Sequence, residues 1–138
     1  MLSDKKVCGI LIENQVQGQQ LTQAVVGIGL NVNQKIFEWP HASSLSVCSG
    51  FDFDKADLLD VLLIKLDARY RQLKRHEFQQ LTSDYYAVMY WKGKRHEFQS
   101  GEKIFAGVIE GIDEVGRLLV LVEGEVLKFN FKEIKFLR

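Results

Sequence analysis

Two apolar runs joined by a polar connection open the chain. Residues 7–13 and 21–31 are the apolar runs, and residues 14–20 between them are polar. This arrangement predicts a β-hairpin. Because neighbouring side chains of a strand point to opposite faces, Gly27 and Gly29 share one face and leave it nearly bare. Two glycines at this spacing indicate either a close approach to the backbone or a packing irregularity.

The middle of the chain has helical periodicity. A helix is predicted to begin at Asp54, a good N-cap residue. Its apolar positions form one stripe that we expect to face the core, made of Leu59, Leu62, Leu63, Leu66, Tyr70 and Leu73. A second helix is predicted over residues 78–90, whereas residues 33–49 are predicted to be irregular.

The last third changes to short β-like runs separated by turn signals. About five strands are predicted, over residues 95–98, 103–112, 117–122, 125–131 and 133–137. So many short strands with tight turns favour a small barrel that hides its own edges. The pattern therefore predicts an α+β chain with a boundary between residues 91 and 92.

Composition narrows the class of protein. Among 138 residues, 18 Lys and Arg balance 18 Asp and Glu, so the basic excess typical of a nucleic-acid binder is missing. The amino terminus has no apolar segment of a signal peptide, and no run has the length of a membrane span. Cys8 and Cys48 show no ligand spacing and are expected to be reduced thiols. We expect a cytoplasmic protein that binds neither nucleic acid nor membrane.

Candidate chemistry is confined to the first hairpin. Common catalytic motifs are missing, and the three histidines show no metal-ligand spacing, so no metal-binding residue is predicted. Lys6 precedes the first strand, Gly9 lies inside it, and Asn31 ends the second strand. A mobile ammonium, bare glycines and a carboxamide could hold an anion. A structural hairpin with an incidental lysine explains the same residues.

The motifs of this region resemble those of the biotin–protein ligases. The resemblance rests on residues 5–14 (Lys-Lys-Val-Cys-Gly-Ile-Leu-Ile-Glu-Asn), residues 25–33 (Val-Val-Gly-Ile-Gly-Leu-Asn-Val-Asn) and residues 42–45 (Ala-Ser-Ser-Leu). Ser43 stands where the family usually has threonine. Residues 105–120 resemble the SH3-like barrel of these ligases. The resemblance implies the later part of the catalytic domain over residues 1–91, a partial mixed sheet with two helices, and the SH3-like domain over residues 92–138.

The resemblance also implies a reaction and its residues. A biotin–protein ligase activates biotin with ATP and Mg²⁺ to biotinyl-5′-AMP, then transfers biotin to a lysine of a biotin carboxyl carrier domain. Lys6 matches the catalytic lysine that contacts the carboxylate and the α-phosphate, and Asn31 matches the asparagine beside the phosphates. The other implied ligand-binding residues are Gly9, Gly27, Gly29, Ser43 and Ser44.

The family's upstream loop, rich in glycine and arginine, is not found in these 138 residues. We therefore expect a truncated chain with an internal start, derived from an enzyme but not competent alone. Two alternatives stay open, a non-catalytic docking fragment and a relative of the lipoate–protein ligases. An open strand edge would also favour homo-oligomers.

Overall fold

The computed structural model describes residues 1–2, 4–18 and 20–137. Within it the chain forms two compact units, Met1–Ala68 and Arg69–Arg138. These units are compact parts of the structure, whereas the predicted boundary after residue 91 separates two family domains. That boundary therefore stays a prediction. The α+β class is confirmed, with seven strands and three helices among the described residues.

The predicted hairpin is confirmed in the first unit. Strand β1, Cys8–Gln17, pairs antiparallel with strand β2, Gln20–Leu30. The strands continue through most of the polar connection, which makes them longer than predicted. Gly18 has a φ of +63°, a left-handed value that glycine adopts without the steric cost of a side chain. The turn therefore needs fewer residues than the polar stretch suggested.

Two helices follow the hairpin, of which the second continues past Ala68, the last residue of the first unit. Helix α1, Leu45–Ser49, lies in the stretch that the sequence predicted to be irregular. It is one short turn, and its sequence carries little helical periodicity. Helix α2, Lys55–Lys74, begins as predicted, because Asp54 Oδ1 accepts hydrogen bonds from the backbone N–H of Ala56 at 2.7 Å and of Asp57 at 3.2 Å.

The prediction that one stripe of α2 packs into a core is wrong. No residue of the helix is buried, and Leu59 and Leu73 expose 53% and 48% of their surface. The apolar spacing makes the helix amphipathic, but spacing alone does not supply the surface that would cover the stripe.

The second unit is built on one antiparallel sheet. Helix α3 is Phe78–Ala87, shorter than the predicted 78–90. The strands are β3 Arg95–Ser100, β4 Lys103–Ile112, β5 Leu118–Val122, β6 Glu125–Phe129 and β7 Lys135–Phe136. Their order in the sheet is β6-β5-β4-β3-β7. Five predicted strands are thus confirmed, in a sheet-rich unit compatible with a barrel-like domain.

A cluster of buried apolar residues lies in this second unit, whereas the first unit buries the apolar side chain of Val7. Phe98, Ile109 and Val120 are each at most 1% exposed and pack against one another. The described chain nevertheless exposes 10965 Å². Two separate globules of half its mass would expose about 8,900 Å² together. Large apolar side chains are uncovered in both units, among them Ile10 at 65% and Ile104 at 63% exposure. None of the described helices has the length and apolarity needed to cross a membrane.

Candidate functional site

Lys6 is fixed through its backbone to the segment that follows the second strand. Its N–H donates to the carbonyl of His41 at 2.8 Å, and its own carbonyl accepts from the N–H of Ser43 at 3.0 Å. Lys6 and Ala42 form a parallel bridge. The backbone is therefore held while the side chain stays exposed.

Asn31 connects the end of strand β2 to the residue that precedes β1 and to the segment that leads into α1. Its N–H donates to the Val7 carbonyl at 2.8 Å, and its side-chain Nδ2 donates to the Ser43 carbonyl at 3.0 Å. The N–H of Leu45 donates in turn to the Asn31 carbonyl at 2.9 Å. The fold thus brings together residues that are up to 39 positions apart in sequence, since Lys6 and Leu45 both contact this small region.

The glycines form a bare face beside the Lys6 ammonium. Gly9 lies directly opposite Gly29 in the hairpin, and Gly27 lies opposite Leu11, so these four residues share one face. A Cβ on Gly9 would lie 3.8 Å from Lys6 Nζ, which places the ammonium on that same face. A Cβ on Gly29 or Gly27 would meet only a backbone oxygen, 3.9 or 3.8 Å away. A flat ligand could therefore lie on the backbone with a cation at its edge.

The two predicted serines are interior residues. Ser43 and Ser44 are 1% and 0% exposed. Ser44 is the N-cap of α1, where its hydroxyl accepts from the Val47 N–H at 3.2 Å and donates to the Gln34 carbonyl at 2.6 Å. The Ser43 hydroxyl lies 3.4 Å from Cys48 Sγ. In this structure the serines hold the loop beside Asn31, and their contact with a bound nucleotide stays a prediction.

Asn33 and Lys55 also belong to this region, and the sequence analysis missed both. Asn33 Nδ2 donates to the Phe53 carbonyl at 2.8 Å, and its Oδ1 accepts from the Phe53 N–H at 3.0 Å. Lys55 lines a cavity of about 550 Å³ together with residues 30–34. Asn33 stood within the quoted motif, but Lys55 carries no local signal because only the fold brings it there.

The comparisons with known proteins agree on one family. No protein-family model matches the chain. It is 31% identical over 142 residues to the bifunctional ligase/repressor BirA of Bacillus spizizenii, a match that covers 98% of this chain and 43% of BirA. The chain thus spans less than half the length of this curated relative.

Solved structures of ligases are also similar to this chain. The biotin protein ligase of Aquifex aeolicus, in its apo structure, matches with a TM-score of 0.74 and 26% identity, over 99% of this chain and 61% of the ligase. The structure of that ligase in complex with biotin and ATP matches with a TM-score of 0.71 and 27% identity, over 98% of this chain and 57% of the ligase.

The chain is thus similar to biotin protein ligases in both sequence and fold over nearly its whole length, which confirms the resemblance seen in its motifs. More particularly, the matches fit the carboxy-terminal portion of such a ligase.

Proposed function

We propose that this chain supplies part of the active site of a biotin–protein ligase, an enzyme that activates biotin with ATP and transfers it to a lysine of a biotin carboxyl carrier domain. The observation that carries the proposal is the Lys6 ammonium on the bare face formed by Gly9, Gly27 and Gly29. Similarity to biotin protein ligases over nearly the whole chain supports it.

In the first step, an oxygen of the biotin carboxylate forms a bond to the α-phosphorus of ATP. The bond from that phosphorus to the bridging oxygen breaks, and pyrophosphate leaves with the electron pair. Negative charge gathers where the carboxylate meets the phosphate. Lys6 would stabilise that charge as a fixed cation, without transferring a proton. Its tethered backbone and exposed side chain suit this role.

The glycine face and Asn31 would position the adenylate. Gly9 and Gly29 leave the backbone open to a flat group, as no described side chain other than Lys6 comes within 4 Å of their virtual Cβ atoms. Asn31 donates through Nδ2, and its Oδ1 carries no hydrogen bond within the described part of the chain.

Mg²⁺, as the family implies it, would neutralise charge on the ATP phosphates. The described residues contain no group of three or more His, Cys, Asp or Glu side chains suited to a metal. A magnesium ion carried by phosphates needs few protein ligands, and the Asn31 oxygen is of the right type.

In the second step, the amine of a carrier lysine attacks the acyl carbon of biotinyl-5′-AMP, loses a proton and displaces AMP. The glycine- and arginine-rich loop that would grip biotin must then come from a separate segment, because these 138 residues do not contain it. We therefore propose that the isolated chain is not competent and that its partner in the second step is a carrier domain of a cytoplasmic carboxylase.

The direct test is ATP-dependent transfer of labelled biotin to a carrier domain. The chain would be assayed alone and with the upstream half of a biotin–protein ligase added as a separate polypeptide. We expect transfer only in the mixture. Lys6→Ala should abolish it, whereas Lys5→Ala, a change of the adjacent exposed lysine, should leave it intact.

Three other outcomes would change the proposal. Activity of the chain alone would show that the biotin grip lies within it. Transfer of lipoate in preference to biotin would move the chain to the lipoate–protein ligase group. No transfer by a folded mixture, together with biotin-independent binding to the carrier domain, would favour the docking alternative.

A further inference from the structure

The cavity at the end of strand β2 is lined by one positively charged side chain. Its lining consists of residues 30–34 and Lys55, the first residue of helix α2. Of the lining side chains, Leu30 and Val32 are aliphatic, three are carboxamides, and only Lys55 is charged. Lys55 forms no ion pair or hydrogen bond in the part of the chain that the structure describes, which leaves its ammonium available to a ligand.

The protein fixes the backbone around Lys55 by two sets of contacts. Asn33 bonds both backbone groups of Phe53, two residues before Lys55. Lys35 forms an ion pair with Asp52 and donates to the Ser46 hydroxyl at 3.1 Å. Because both polar ends of the Asn33 amide are used, Asn33 is a positioning residue, and the side chain left to meet a ligand is that of Lys55.

The surroundings favour an anion that is bound by the ammonium itself. Asp54 already accepts from the N–H groups of Ala56 and Asp57, the second and third residues of α2, so these two are not available to an anion. Asp52 is paired with Lys35, which reduces its repulsion of an incoming anion. The lining has no aromatic side chain on which a base or the biotin ring could stack. A phosphate group suits the Lys55 ammonium better than either ring does.

Asn31 links this cavity to the Lys6 region, since it lines the cavity and is bonded to Val7 and Ser43. We infer that Lys55, held in place by Asn33, binds the outer phosphates of ATP and thus the pyrophosphate that leaves. This inference rests on the proposed function and adds a second cation to its site.

The test measures binding of ATP and of AMP to the full chain by isothermal titration calorimetry. One lost charge-assisted contact should weaken ATP binding by about tenfold in Lys55→Gln and leave AMP binding nearly unchanged. Lys55→Arg should keep most of the affinity. Lys65→Gln, which removes another exposed lysine of the same helix, is the matched control and should bind ATP like the wild type.

Asn33 is tested by a double-mutant cycle. If it acts by placing Lys55, Asn33→Ala should weaken ATP binding in the wild-type background and have little further effect in Lys55→Gln. An equal loss in both backgrounds would contradict the positioning role.

Two outcomes would overturn the inference about Lys55. Equal ATP affinity for Lys55→Gln and wild type would exclude Lys55 from phosphate binding. It would not contradict the ligase proposal. Failure of the wild-type chain to bind ATP would also overturn it, and the ligase proposal would then be decided separately by the biotin-transfer assay.

Discussion

Gly107 lies where strand β4 crosses the core residue Val120, and an added methyl group has no room there. A Cβ on Gly107 would come within 2.6 Å of Val120 Cγ1, 3.0 Å of the Leu121 carbonyl oxygen and 3.1 Å of Val122 Cγ2. Val120 is 0% exposed and packs against Phe98 and Ile109, so it cannot turn into solvent to make room. The φ of Gly107 is outside the left-handed region, so space alone makes alanine unfavourable.

The magnitude follows from two opposing effects. Overpacking of a core costs about 1–3 kcal/mol. Replacing glycine by alanine recovers about 0.4–1 kcal/mol, because the unfolded chain becomes less flexible. We therefore expect Gly107→Ala to lower the free energy of unfolding by about 1.5 kcal/mol. For a unit of this size that corresponds to a fall in Tm of roughly 6–12 °C.

Trp91 reports on this unit because it packs against the core cluster. Thermal unfolding would be followed by Trp91 fluorescence in a Trp39→Phe background, which removes the exposed tryptophan of the other unit. Gly29→Ala is the control, since its nearest new contact is an ordinary 3.9 Å. A Gly107→Ala protein that melts within about 2 °C of its parent would refute the packing argument.

Three further predictions concern other contacts. Tyr86→Phe removes the hydroxyl that bonds the N–H of Ile112 at 3.3 Å and its carbonyl at 3.2 Å. The change should lower the free energy of unfolding, measured in urea, by about 1–3 kcal/mol. An unchanged free energy of unfolding would show that water replaces the hydroxyl. Hydrogen bonds from the Asn130 side chain and backbone lower the pKa of Glu133, so this carboxylate stabilises the fold above its ordinary pKa and stops doing so as the pH falls through the lowered one. Glu133→Gln should therefore reduce the acid sensitivity of Tm below about pH 5, and an unchanged pH profile would contradict this. The exposed hairpin should make the chain self-associate, which sedimentation at roughly tens of micromolar would show; a clean monomer would disprove it.

The sequence predicted best those features that depend on local residue pattern. The hairpin faces, the Asp54 cap and the five strands of the second unit all follow from alternation, capping and turn residues. The stripe of α2 failed because amphipathic spacing does not show whether a covering surface exists. Helix α1 was missed because a five-residue helix depends on its Ser44 cap and on tertiary hydrogen bonds.

In the candidate site, too, residues with a local sequence pattern were predicted and residues placed by tertiary contacts were not. Lys6, Gly9 and Asn31 were predicted because they stand in recognisable motif order, and the fold brings them together, while their role in a site stays a prediction. Lys55 lies 24 positions after Asn31, and nothing in its own neighbourhood predicts the cavity that both line. No local pattern predicted that Ser43 and Ser44 would be buried.

The hexapeptide Lys-Arg-His-Glu-Phe-Gln occurs twice in the chain, at residues 74–79 and 94–99, and so allows an internal comparison. At residues 74–79 it ends one helix, turns at His76 with a φ of +59° and enters the next helix. At residues 94–99 the same six residues lead into and form most of strand β3. A protease or antibody that recognises this sequence therefore meets it twice in one molecule, with a different backbone geometry and with Phe78 exposed but Phe98 buried. The amount of cleavage or antibody binding at residues 74–79, divided by the amount at residues 94–99, would report local conformation. No second protein would be needed as a reference.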